Sequence, residues 1–109
     1  MRDDRERLLD IQEAIDNIKK YAVRGRQAFG EDELVQSWVI RQLQILGEAA
    51  TKISDDFQDR YPDMPWHKII GMRNILVHDY FGIDVNIIWS IVEKDMPVLE
   101  RQIKELLKE

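Results

Sequence analysis

The strongest constraint on the fold is a spacing. Leu8, Ile11, Ile15, Ile18 and Ala22 follow one another at intervals of three and four residues, and so do Val35, Val39, Leu43, Leu46, Ala50 and Ile53. A third set, Val85, Ile88, Val92, Met96, Leu99, Ile103 and Leu106, repeats the pattern near the C-terminus. Such intervals place apolar side chains on one stripe of a 3.6-residue helix and have no counterpart in the two-residue alternation of a strand. Each stripe must be covered by another, so the pattern predicts an all-α protein: an up-and-down bundle of four to five helices.

Punctuation divides the chain further. A first helix is expected from about Asp3 to Arg26, with Gly25 and Gly30 bracketing its end. Asp32 is placed to open the second, where Trp38, Ile45 and Ala49 add a second apolar row. Residues 55–64, DDFQDRYPDM, break the period and contain Pro62, which predicts a connecting loop. A third helix starts at Pro65, with Asp63 placed to cap it, and runs to Phe81 before Gly82. Asp84 caps a fourth. Pro97 interrupts that last stripe without changing its phase, which predicts a kink or two coaxial helices rather than a reversal.

At 109 residues the chain, 1–109, is expected to be one domain. It contains no cysteine, which removes thiol chemistry and thiolate metal sites and suits a reducing compartment. The first residues, MRDDRERLLDIQ, lack the apolar core of a signal peptide, and no apolar run approaches a membrane span, so a soluble cytoplasmic protein without membrane contact is expected. The net charge of -5 argues against non-specific DNA or RNA binding by charge alone. Residues 57–82 are neutral, however, with three basic and three acidic groups, which leaves room for a local positive cleft.

Within that segment stands RNILVHDYFG, residues 73–82, where Arg73, Asn74, His78, Asp79 and Tyr80 crowd polar heads into an apolar helix. On an ideal helix, Trp66, Ile70, Arg73, Val77 and Tyr80 fall in one line, and His67, Gly71, Asn74, His78 and Phe81 in the next. A buried guanidinium is costly, so Arg73 must meet a carboxylate, carbonyls or a cleft that accepts an anion. Gly71 would let another backbone approach. Arg73 and His78 differ by roughly 140° around the helix and roughly 7.5 Å along it. One phosphate can be served by both only if the helix bends, the arginine curls back, or a second copy completes the site. A two-fold homodimer is the simplest of these.

An arginine fork that holds a phosphate, with a histidine that exchanges a proton near neutral pH, suits RNA cleavage by the adjacent 2′-hydroxyl. The same two residues also fit a plain structural ion pair, a satisfied core histidine or solvated heads. His67 reads as a surface residue, Trp38, Trp66 and Trp89 as core or dimer contacts, and Arg41 and Glu48 as either cleft lining or surface. No metal-ligand spacing and no phosphate-binding glycine loop occurs.

The segment PWHKIIGMRNILVHDYFGID, with RQLQILGEAATKIS at 41–54 and IIWSIVEKDMPVLERQIKELL at 87–107, resembles the HepT-like branch of the HEPN superfamily. The family's motif, Arg, four residues, His, one residue, Tyr, falls on Arg73, His78 and Tyr80. The resemblance implies a homodimeric toxin of a type VII-like toxin–antitoxin pair, a metal-independent endoribonuclease with Arg73 and His78 catalytic at the dimer cleft. Asn74 and Asp79 would support them, the negative Asp79 at some expense of RNA affinity. It further implies a minimal nucleotidyltransferase as antitoxin, which uses ATP to transfer AMP to Tyr80, the toxin itself holding no cofactor. A charged adduct there would repel or occupy the place of the RNA phosphate. The competing expectation is a helical dimer that serves the nucleotidyltransferase as binding partner or substrate-binding subunit and cleaves nothing.

Overall fold

A computed structural model describes residues 3–78 and 83–108. The elements are α1 (Asp4–Ala22), α2 (Gly25–Glu31), α3 (Glu33–Thr51), α4 (Asp55–Arg60), α5 (Trp66–His78), α6 (Val85–Ser90) and α7 (Met96–Leu107). A single π-helical turn, Ile91–Asp95, joins α6 to α7. There is no strand among the described residues.

Capping defines several of the starts. The Asp3 carboxylate accepts from the Glu6 N–H at 2.8 Å, Asp32 from Leu34 and Val35, and Asp84 from Asn86, each satisfying an otherwise orphaned first-turn donor. α1 carries Asp4 and Glu6 in its first turn and Lys19 and Lys20 in its last, in agreement with the helix dipole.

Long-range contacts give the topology. Ser54, after α3, donates to Asp4 at the start of α1 (2.7 and 2.8 Å), while Asn17 near the end of α1 donates to Gln42 of α3 (3.2 Å), so these two helices are antiparallel. Gln44 reaches Leu76, and Gly47 meets Arg73, which makes α3 and α5 antiparallel as well. Arg5 bonds Leu107 and Gln12 bonds Glu100, while Lys68 pairs with Asp95 and Gln102 bonds Asp63 just before α5; α7 therefore runs against both α1 and α5. The expected up-and-down bundle is present, with α1, α3, α5 and α7 as its members. Its centre is Leu8, Ile11, Ile15 and Ile18 from α1, Val39, Leu43 and Leu46 from α3, and Ile88 and Ile103 from the last segment, all 2% exposed or less.

The structure corrects the expected boundaries in two places. α1 stops at Ala22 instead of Arg26, because Gly25 adopts φ +91, a left-handed conformation that a continuing helix cannot include. The chain turns there into α2, so Gly30 lies inside a short helix and terminates nothing. α2 buries Phe29 against Trp89, ring centroids 5.3 Å apart. Residues 55–60, expected as loop, form α4. Its Ser54 hydroxyl caps Phe57 N–H, Asp55 and Asp56 occupy the first turn and Arg60 the last. α4 buries no residue completely, so it carries no apolar period to read.

α5 begins where Pro65 predicts, since Ile69 N–H donates to the Pro65 carbonyl. Asp63 contributes its backbone carbonyl to Gln102. The expected end of this helix at Phe81 and Gly82 lies outside the described residues. Pro97 is accommodated as a kink-type irregularity: Met96 N–H bonds back to Ile91 across the π turn, and Pro97 falls in the first turn of α7, where its missing N–H leaves no gap in the ladder. Trp66 and Trp89 are core residues; Trp38 is a surface residue, edge-on to Tyr21, with its indole N–H on the Asn17 carbonyl.

Candidate active site

The buried row of α5 is Trp66, Ile69 and Leu76, and Arg73 stands in the gap between the last two. This is one step around the helix from the expected line through Ile70 and Val77; Val77 is 43% exposed. An arginine in this row is tolerable because of what lies opposite. Gly47 of α3 meets it so closely that an added Cβ would overlap Arg73 Cβ and sit 3.3 Å from its Cα. The glycine therefore lets α3 and α5 approach with the arginine stem between them. Gly71, the residue expected to permit close approach, has nothing within 4 Å of a Cβ position among the described residues.

The stem packed at Gly47 aims the guanidinium out of the core. Nη2 lies 2.7 Å from Glu48 Oε2, and Nη1 donates to Asn74 Oδ1 at 2.9 Å. Nε is buried with no hydrogen-bond partner among the described residues. Asn74 thus accepts a hydrogen bond from the arginine head, and Glu48 is the carboxylate that a half-buried arginine requires. Lys52, 3.7 Å away, shares Glu48.

Around this pair opens a cleft of about 360 Å³. One wall is the polar row Arg41, Gln44 and Glu48 of α3, with Ile45 and Ala49 beside it; Arg7 and Asp10 of α1 line it too, and Arg73 and Val77 come from α5. The Gln44 amide donates to the Leu76 carbonyl at 3.0 Å and ties α5 to α3. Three arginines against two carboxylates give the lining a formal charge of +1, although the chain as a whole carries -5.

His78 is the last residue of α5, and its side chain lies outside the described structure, as do Asp79 and Tyr80 entirely. His67 is exposed, as expected. Sequence reasoning left Arg41 and Glu48 undecided and did not single out Gln44, Gly47, Arg7 or Asp10. The available signal was on α3: polar residues at 41, 44 and 48 share one helical row, and a glycine stands in the helix interior beside it. Among the described residues, no cluster of three or more His, Asp or Glu is placed to hold a metal ion. No helix there is long and apolar enough to cross a membrane.

Fold and site together define an all-α protein with an arginine-lined cleft of net positive formal charge. Comparison with known proteins makes the class specific. A family model described as ribonuclease HepT-like matches residues 11–106, and the chain belongs to this HepT-like ribonuclease family of the HEPN superfamily. It is 40% identical over 105 residues to a Thermococcus cleftensis protein named "Probable ribonuclease HepT", covering 93% of each chain. It is also 36% identical over 98 residues to a Methanocaldococcus jannaschii protein provisionally named an RNase, covering 89% of this chain and 90% of the relative. No solved structure gives a significant match.

Proposed function

We propose that the protein is a metal-independent endoribonuclease acting as the toxin of a type VII-like toxin–antitoxin pair in the cytoplasm. The observation that carries this reading is Arg73. Its stem is packed at Gly47 and its head is delivered into an open cleft of net positive charge, five residues before the motif histidine, in a chain of a ribonuclease family.

In this reaction an RNA phosphate takes up the N–H groups of Arg73. The neighbouring 2′-hydroxyl loses its proton to a histidine and attacks phosphorus. The bond to the 5′-oxygen breaks, that oxygen receives a proton, and a 2′,3′-cyclic phosphate remains. One histidine cannot conveniently remove and supply a proton in the same turnover, so two copies of His78 across a two-fold axis are the economical arrangement. The outer face of α5 and α6 suits such pairing: Ile75 and Ile87, 62% and 60% exposed, flank an apolar groove of about 470 Å³ floored by Gly71. Asn74 holds the arginine head, and Asp79 adds a negative charge that weakens RNA affinity.

Control follows from the same electrostatics. A cognate minimal nucleotidyltransferase, using ATP, would transfer AMP to the Tyr80 hydroxyl with release of pyrophosphate. The adduct phosphate then competes with RNA for the arginine.

A second reading, a helical partner of the nucleotidyltransferase without nuclease activity, draws on the 2.7 Å Glu48 contact, which already neutralises Arg73. Incubation of the pure protein with RNA in EDTA separates the two. Cleavage that disappears in His78→Ala supports the nuclease, whereas absence of cleavage by the wild type at every concentration sinks it. Intact mass after incubation with ATP and the nucleotidyltransferase tests the modification; AMP increments that persist in Tyr80→Phe show that the acceptor lies elsewhere.

A further inference from the structure

Three side chains form the polar row of α3 that walls the cleft, and two are engaged: Gln44 on the Leu76 carbonyl and Glu48 on Arg73. The third, Arg41, is exposed and makes no hydrogen bond or ion pair among the described residues. An unpaired surface arginine is ordinary; its place in the register is not. Gly47 faces Arg73 and Gln44 faces Leu76, so one further turn along α3 brings Arg41 level with the C-terminal end of α5, which closes on His78. Arg41 and Glu48 are seven residues apart, about 10.5 Å along the helix. Arg41 and Arg73 line the same cleft, Arg41 one turn of α3 beyond Gln44.

Of the three arginines that line the cleft, Arg73 is already paired with Glu48. Arg7, the other cleft arginine, is 3.9 Å from Asp10 and is partly spoken for. Arg41 has no such commitment.

We propose that Arg41 is a second phosphate-binding residue of the cleft. It takes the backbone phosphate next to the one held by Arg73, so that the site engages single-stranded RNA through two successive phosphates. The proposal rests on the ribonuclease reading above and adds to it a requirement on substrate length.

The test uses full-length Arg41→Ala and Arg41→Lys, each also combined with His78→Ala so that binding is measured without cleavage. Fluorescence anisotropy with a short single-stranded RNA is recorded across salt concentrations. Arg41→Ala is expected to weaken binding about tenfold at low salt and to make the slope of log K against log salt shallower by about 0.7, with Arg41→Lys restoring the slope. In cleavage, kcat/KM on a trinucleotide falls by a similar factor, while a dinucleotide with a single phosphate is cleaved as by the wild type. An unchanged slope, an equal loss on both substrates, or no RNA binding by the His78→Ala parent overturns the role given to Arg41. If the wild type cleaves neither substrate, the nuclease reading fails, and the binding series still decides whether Arg41 holds a phosphate.

Discussion

Gly47→Ala sets two well-measured effects against each other at the α3–α5 crossing. In a helix interior, alanine is better than glycine by about 1 kcal/mol. At this position the added methyl would overlap Arg73 Cβ and approach its Cα to 3.3 Å. Because a backbone atom is among those met, rotating the arginine cannot relieve the contact, and α5 must move. Overpacking of this kind costs about 1–3 kcal/mol. The net expectation is a loss of up to about 2 kcal/mol, or about 4 °C in Tm for each kcal/mol in a domain of this size. Gly30→Ala is the control: it is helical, its Cβ would meet nothing within 4 Å, and it should gain about 0.5 kcal/mol. Thermal and urea unfolding of the three proteins, followed by circular dichroism, reads both effects. If Gly47→Ala is stabilised as Gly30→Ala is, the close crossing is not there, and the account of how Arg73 is aimed falls with it.

Two further expectations follow from ion pairs. Glu48→Gln removes the charge opposing Arg73 and keeps the shape. With the two side chains 44% and 27% exposed, solvent screening holds the stability change below about 1 kcal/mol, while RNA affinity in the His78→Ala background should rise. A fall in affinity would mean that the carboxylate positions the guanidinium rather than occupying it. Glu100 has a carboxylate only 15% exposed; burial pushes its pKa up, but the hydrogen bond and charge of Lys19, with Lys104 and Gln12, outweigh this and hold it below the ordinary glutamate value. A folded pKa below the unfolded one means stability that is fully present above the unfolded value and lost as pH falls through the folded value. Urea midpoints of wild type and Glu100→Gln should therefore differ at pH 7, and the gap should narrow as pH falls below the ordinary glutamate range; a gap that stays constant through acid pH would refute the assignment.

Much of the scaffold was legible because its causes are local. Asp32 and Asp84 cap the helices that their positions announce, since a side-chain oxygen finds its N–H two or three residues away. The stripe through Val35, Val39, Leu43, Leu46, Ala50 and Ile53 is buried throughout, because the helical repeat alone puts those residues on one face. α4 was missed for the same reason in reverse. Its ends are capped and charged, but with no fully buried residue it has no stripe. Pro97 fitted an unbroken phase because the π turn absorbs an extra residue, which spacing does not reveal.

The motif Arg73, Asn74 and His78, its helix, and the family to which the chain belongs could all be read from residue order, as could the need of Arg73 for a carboxylate, carbonyls or an anion-accepting cleft. Tertiary structure alone decided which of these partners it meets and which glycine lies beside it. Glu48 lies 25 positions from Arg73 and meets it at 2.7 Å only because α3 and α5 cross at Gly47 and not at Gly71. A glycine's missing side chain matters only where another helix arrives, and that is set by the packing of all the stripes together. The same packing carried Arg41, a charge that looks like ordinary surface in the sequence, into the cleft that Arg73 lines.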